Sequence, residues 1–181
     1  MARVLAVAGA ATGGTAVLAV AGLGGALGTL AAGGAVPSAP DGAVAGIPPA
    51  MLSLYQAAST TCPGLSWTTL AAIGTVESNN GTSSAPGVSS GANAAGAEGP
   101  MQFEPATFAE YDLPVPDGGA DPPSVYDPVD AVYAAARMLL CADCAAGGAD
   151  VAGAVYAYNH STAYVTEVLD LAARYQGGDG S

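Results

Sequence analysis

The chain has 181 residues, 51% of them hydrophobic and only 10% charged, and its 15 acids against 3 basic residues leave a formal charge of −12. Lysine is absent and the basic residues are Arg3, Arg137 and Arg174, which argues against nucleic acid as a partner, because binding there depends on cations that neutralise phosphates. The length suits one domain, or one domain preceded by a targeting segment.

Val4 to Val36 carries no charge and is built from Ala, Gly, Val, Leu and a few Thr. Arg3 precedes the run and Pro37-Ser38-Ala39-Pro40-Asp41-Gly42 follows it, so residues 1–36 have the layout of a signal peptide or a membrane anchor. The run exceeds a signal core of roughly 7–15 residues and is ample for a span of about 20, which leaves cleavage and retention both open. With its positive charge at the front, the remainder is expected outside the membrane. An exported chain meets oxidising conditions, so one disulfide is expected among Cys62, Cys141 and Cys144. Cys62–Cys141 is favoured because it joins distant segments. A single Cys-x-x-Cys without a second pair or a nearby His does not close a tetrahedral zinc site, and no metal is expected.

Residues 37–46 read as a Pro/Gly/Ala linker. Ile47-Pro48-Pro49 opens a helix, since Pro is tolerated in a first turn, and Met51, Leu54, Tyr55 and Ala58 recur at helical spacing before Cys62-Pro63-Gly64 stops it. Ser66 suits the N-cap of a second helix, in which Leu70, Ile73, Gly74 and Glu77 fall at i, i+3, i+4 and i+7. Glu77 therefore shares a face with residues that must be buried, near the helix's C-terminal end. The negative pole of the macrodipole and partial desolvation both disfavour its ionisation, as a general acid near neutral pH requires. A solvated Glu at a helix end is the competing reading, and this helix by itself does not choose between them.

Ser78 to Gly99 is rich in Ser, Gly, Asn and Ala without periodicity, and loops of such length inside a domain are often functional. It runs into Gly99-Pro100-Met101-Gln102-Phe103, where Gln102 has a donor and an acceptor for a neutral polar ligand. Pro105 starts a short helix through Phe108 and Tyr111, and Leu113 to Tyr126 is mainly loop. Asp117, Asp121 and Asp127 lack the ligand pattern of a calcium loop. Asp127-Pro128-Val129-Asp130 starts a helix with Val129, Val132, Tyr133, Ala136 and Leu140 as its apolar face, ended by Gly147-Gly148. Asp150 caps a helix bearing Val151, Ala154, Val155 and Tyr158, which stops at Asn159-His160-Ser161. A last helix carries Val165, Val168, Leu169 and Ala172, and residues 176–181 read as a tail. The fold class is all-α, with about six helices and no strand.

Glu77-Ser78 at a helix end, Gly96-Ala97-Glu98-Gly99-Pro100-Met101-Gln102-Phe103 and Tyr158-Asn159, in that order, resemble the lysozyme-like soluble lytic transglycosylase family, especially its exported actinobacterial members. The resemblance covers residues 47–175. It implies a lysozyme-like α-helical lobe with a glycan-binding groove, peptidoglycan glycan strands as substrate, a location in the cell wall or on the outer face of the cytoplasmic membrane, and no cofactor. It implies further that Glu77 acts first as acid and then as base, that Ser78 steadies the loop or a ligand, that Met101 and Gln102 line the groove, and that Tyr158 and Asn159 support Glu77 and the substrate. His160 is assigned a capping or structural part. The loop after Glu77 is longer than in many relatives, which leaves the alignment of Ser89 and Ser90 open. Glu98 and Glu104 flank the Gly-Pro-Met-Gln-Phe segment; either would supply the second carboxylate of a hydrolytic muramidase. A non-catalytic glycan-binding module is the reading from a different class.

Overall fold

The computed structural model describes residues 44–144 and 150–177, residues 140–144 by backbone alone. The signal or anchor segment 1–36, the Cys62–Cys141 pairing and the Gly147-Gly148 stop all fall, wholly or in part, outside the described residues. These residues form six helices and no strand: α1 (Pro49–Ser59), α2 (Trp67–Ser78), α3 (Pro105–Tyr111), α4 (Pro128–Cys144), α5 (Val151–Tyr158) and α6 (Thr162–Gly177). An isolated bridge pairs Glu98 with Phe103. No helix among them is long and apolar enough to cross a membrane.

Local chemistry sets the helix starts. Pro49 occupies the first turn of α1, where its missing N–H leaves no bond unmade. Ser66 Oγ accepts the Thr68 amide at 3.2 Å to cap α2. Asp127 Oδ1 takes the amides of Val129 and Asp130 at 2.8 and 3.2 Å for α4. Asp150 Oδ1 takes the Gly153 amide at 2.7 Å for α5. Each such cap is worth about 1 kcal/mol. The end of α2 is equally defined: Asn79 and Asn80 lie in the left-handed region at φ 52° and 58°. The Asn80 amide reaches back to the Gly74 carbonyl at 2.8 Å, closing the helix as in a Schellman turn.

The second helix is central. Thr68 through Gly74 are all buried, with α1, α4 and α6 packed around them, so the single apolar face expected from Leu70, Ile73 and Gly74 is in fact a helix enclosed on all sides. Gly74 makes room for this, because a Cβ there would collide with the Tyr55 hydroxyl. On the other helices the expected Met51, Tyr55, Ala58, Val132, Ala136, Ala154, Val155, Tyr158, Val168 and Ala172 are buried, and α1, α4 and α6 depart from their expected rows at a few positions. Leu52 rather than Leu54 is buried in α1. In α4 the buried row includes Ala131, Val132, Ala135 and Leu139, while Val129 and Tyr133 are half-buried. In α6 it is Tyr164, Val168, Ala172 and Tyr175 that turn inward, not Val165 and Leu169. In α4 and α6, Ala and Tyr occupy inward positions that a count of branched aliphatics passes over, while Leu54 of α1 and Val165 of α6 stand at the margin, partly buried against the core. The last helix also continues through Gly177, two residues into the stretch read as tail, with Gln176 Nε2 3.3 Å from Thr68 Oγ1.

Buried polar groups fasten the loops. Asp130 is fully buried, and its Oδ2 accepts the amides of Ala120 and Ser124 at 3.1 and 2.9 Å. The Arg137 guanidinium donates to the carbonyls of Tyr111 and Pro114 at 2.7 and 2.5 Å. Asn80 ties the end of α2 to the start of the domain, accepting from Tyr55 at 3.0 Å and donating to the Gly46 carbonyl at 3.1 Å.

Candidate active site

The packing of α2 delivers Glu77 to the margin of the core in the helix's last turn, where it is half-buried. Its Oε1 accepts a 2.6 Å hydrogen bond from the Tyr164 hydroxyl of α6. The carboxyl group is pushed up from 4.5 to about 8, chiefly by desolvation; the Tyr164 hydrogen bond opposes this and the Glu167 carboxylate adds to it. Although one side of the residue is open, protein surrounds enough of the carboxylate to make its charge costly.

The loop ahead of α3 is built against this helix end. Ser78 is buried; its hydroxyl donates to the Pro100 carbonyl at 2.5 Å and accepts the Gly81 amide at 2.7 Å. It holds the loop rather than facing a ligand. Gly99 has φ 76° and lies so close to the Val125 carbonyl that a Cβ would overlap it, a place that only glycine fits. Met101 is fully buried, with its sulfur close to Gly74, so its side chain belongs to the core beneath the site. Its carbonyl accepts the Tyr158 hydroxyl at 2.8 Å.

Gln102 is buried in the left-handed region at φ 49°. Its Nε2 donates to the Gly99 carbonyl at 2.7 Å and its Oε1 accepts from Asn93 Nδ2 at 2.9 Å. One hydrogen and one lone pair of that amide are thus committed to the loop. Asn93 in turn accepts the amides of Ala95 and Ala97 at 2.8 and 3.0 Å, so the Ser/Gly/Ala loop is organised around an Asn that sequence reasoning passed over.

Tyr158 is fully buried beneath the loop, edge-on to Phe103 at 5.6 Å, and its hydroxyl is held well above its ordinary value by burial and then by the Glu77 charge. It supports the site through Met101. Asn159 is buried beside it, with no partner for Nδ2 among the described residues. His160 is exposed and meets Tyr156 edge-to-face at 5.4 Å. Ser89 and Ser90 are exposed. Of the flanking acids, Glu98 lies near the Tyr126 hydroxyl, which donates to the Gly91 carbonyl at 2.8 Å and which desolvation and then that carboxylate hold above its ordinary value. Glu104 occupies the N-cap position of α3.

The residue that touches Glu77 is Tyr164, which sequence reasoning did not single out. The available signal was the row Tyr164, Val168, Ala172, Tyr175 at i, i+4, i+8 and i+11, a buried face marked by tyrosine at both ends.

The chain matches the family model of the Transglycosylase SLT domain over residues 55–177, from the middle of α1 to the end of α6. It belongs to the SLT transglycosylase family. No curated protein and no solved structure matches it. The match covers every helix that borders Glu77, and the all-helical architecture agrees with the family's lysozyme-like fold. This SLT protein is accordingly a peptidoglycan lytic transglycosylase, with glycan strands as its substrate.

Proposed function

We propose that Glu77 is the single acid and base of this SLT transglycosylase, cleaving the bond between N-acetylmuramic acid and N-acetylglucosamine with formation of a 1,6-anhydro end. The observation that carries the reading is a carboxyl group raised to about 8 at a half-open helix end, with one oxygen already held by Tyr164. At neutral pH about nine in ten such groups keep their proton. Because Tyr164 donates to Oε1, the acid proton resides on Oε2.

Oε2 delivers that proton to the glycosidic oxygen as the C1–O bond breaks, leaving the N-acetylglucosamine 4-hydroxyl. The muramic C6 hydroxyl then attacks C1, and its proton passes to Glu77, which restores the acid. No water is consumed, and one carboxyl group serves both steps because the nucleophile is internal to the substrate. Ordinary glycosidases divide the same tasks between two carboxylates. Between the steps the Tyr164 hydroxyl stabilises the Glu77 carboxylate, a charge-assisted bond that matters most while the proton is away. Ser78, Gln102 and Tyr158 fix the Gly99–Gln102 loop beside the acid.

The test is digestion of purified peptidoglycan followed by mass analysis of the fragments. Anhydro ends are lighter than reducing ends by one water; uniformly reducing ends indicate a muramidase and defeat the proposed mechanism. Glu77→Gln abolishes cleavage while sparing glycan binding, and retained cleavage removes Glu77 from the reaction. We propose also that the uncharged run behind Arg3 exports the enzyme to the wall side of the membrane. Fractionation of cells producing the full chain checks this, and recovery with the cytosol refutes it.

A further inference from the structure

Helices α1 and α4 leave between them an open groove of about 500 Å³. Its α1 wall is Ala50, Ser53, Leu54 and Ala57, the i, i+3, i+4 and i+7 positions of one helix face. That face is distinct from the row Met51, Leu52, Tyr55 and Ala58, which α1 buries in the core. Val129 and Tyr133, one turn apart, form the α4 wall. Leu54, Val129 and Tyr133 are apolar residues that helical periodicity directs to the core, yet the domain covers each of them only in part. The Arg137 guanidinium lies 6.0 Å from the centroid of the Tyr133 ring and donates to the Tyr111 and Pro114 carbonyls, which holds the ring in place as a wall. Asp117 adds a carboxylate to the lining; it is exposed and takes no hydrogen bond or ion pair among the described residues. Glu77 and the residues that fix its loop are not part of this groove.

We propose that the groove docks an amphipathic helix of a partner protein, its apolar stripe seated between α1 and α4 and a basic side chain beside the stripe paired with Asp117. An extended peptide would bury its backbone N–H and C=O groups against helices whose own backbone groups are already paired, whereas a helix satisfies them internally. A glycan strand would set its hydroxyls against methyl groups that cannot bond them. The helical wall offers ridges between which the side chains of another helix fit, and the small Ala50 and Ala57 on either side of Leu54 let it approach closely. Charge decides the partner's sign. The chain carries −12, so a basic helix is attracted, while a second copy of the chain and an anionic membrane surface are repelled. The docking is independent of the role given to Glu77.

The experiment is fluorescence anisotropy with the full chain and a labelled synthetic helix of about five turns, leucine on one face and lysine on the other. The controls are the same composition scrambled so that no leucine stripe forms, and the amphipathic helix with glutamate in place of lysine. The leucine/lysine helix binds at least about tenfold more tightly than either control. Ala57→Arg pushes a long cationic chain into the groove from an exposed position and weakens binding about tenfold or more. Leu54→Ser weakens it about tenfold through the loss of one apolar side chain. Asp117→Asn weakens it about threefold, as suits an exposed ion pair, and high salt removes that difference. The variants cleave solubilised peptidoglycan at the wild-type rate, which shows that they are folded and that the groove is separate from the acid; Ala57→Arg, on the surface, keeps the test in force where Leu54→Ser is unstable. Equal binding of the scrambled or the glutamate peptide, or wild-type affinity in Ala57→Arg, overturns the proposal. Sedimentation of the wild type as a dimer that Ala57→Arg dissociates overturns it in favour of a second copy. Flotation with phosphatidylglycerol vesicles that Leu54→Ser abolishes overturns it in favour of a membrane.

Discussion

Replacing Glu77 by Gln is expected to stabilise the protein in a pH-dependent way while removing its activity. In the folded chain the carboxyl group is raised from 4.5 to about 8, whereas in the unfolded chain it ionises near the lower value. Below the lower value both states are protonated and the group is neutral in its effect. As pH rises from there, only the unfolded state loses its proton, so stability falls until the folded carboxyl also ionises. At about 1.4 kcal/mol per pH unit, the loss reaches roughly 3 kcal/mol at pH 7 as an upper figure, since solvent reaches one side of the residue. Gln has no such titration, and its Oε1 still accepts the Tyr164 hydroxyl. At about 4 °C per kcal/mol for a domain of this size, Glu77→Gln should melt up to about 10 °C above wild type at pH 7. The two should melt together near pH 4. Thermal melts of both proteins across pH 4–8 provide the assay. An offset that stays constant with pH, or a less stable Gln variant at pH 7, refutes the raised carboxyl and with it the physical basis for an acid at this position.

Tyr164→Phe removes the donor that stabilises the Glu77 carboxylate; kcat should fall about 10- to 100-fold, and the alkaline limb should move upward because this bond lowers the acid's pKa. Ser78→Ala loses a donor to Pro100 and an acceptor for Gly81; urea unfolding should show a loss of about 2 kcal/mol, with faster proteolysis in the 99–102 loop. Gly99→Ala places a Cβ against the Val125 carbonyl at φ 76° and should cost about 3 kcal/mol or more by the same measurement.

Much of the helical framework is legible in the sequence because its determinants are local. Ser66, Asp127 and Asp150 satisfy amides within three residues of themselves, and Pro49 fits a first turn through its own ring, so each start can be read without knowing what lies opposite. The inward rows were less legible. Whether Leu52 or Leu54, or Tyr164 or Val165, turns to the core depends on which helix lies across from it, and α2 is enclosed only because three other helices surround it.

The same division runs through the site. The order Glu77-Ser78, Gly-Pro-Met-Gln-Phe and Tyr158-Asn159 indicated the family, and the residues matched by the SLT domain contain all three motifs. Motif order cannot say what each side chain faces. Tertiary structure turned Met101 into the core, engaged Gln102 with Asn93 and Gly99, and linked Tyr158 to the Met101 carbonyl. It also brought Tyr164 across 87 positions of sequence to Glu77. Sequence by itself determined that a carboxyl group stands at the end of an apolar helix in a lytic transglycosylase. The raised affinity of that group for its proton arises chiefly from desolvation, which the Tyr164 hydrogen bond opposes and the Glu167 charge reinforces, and these effects exist only once α2 and α6 are packed together.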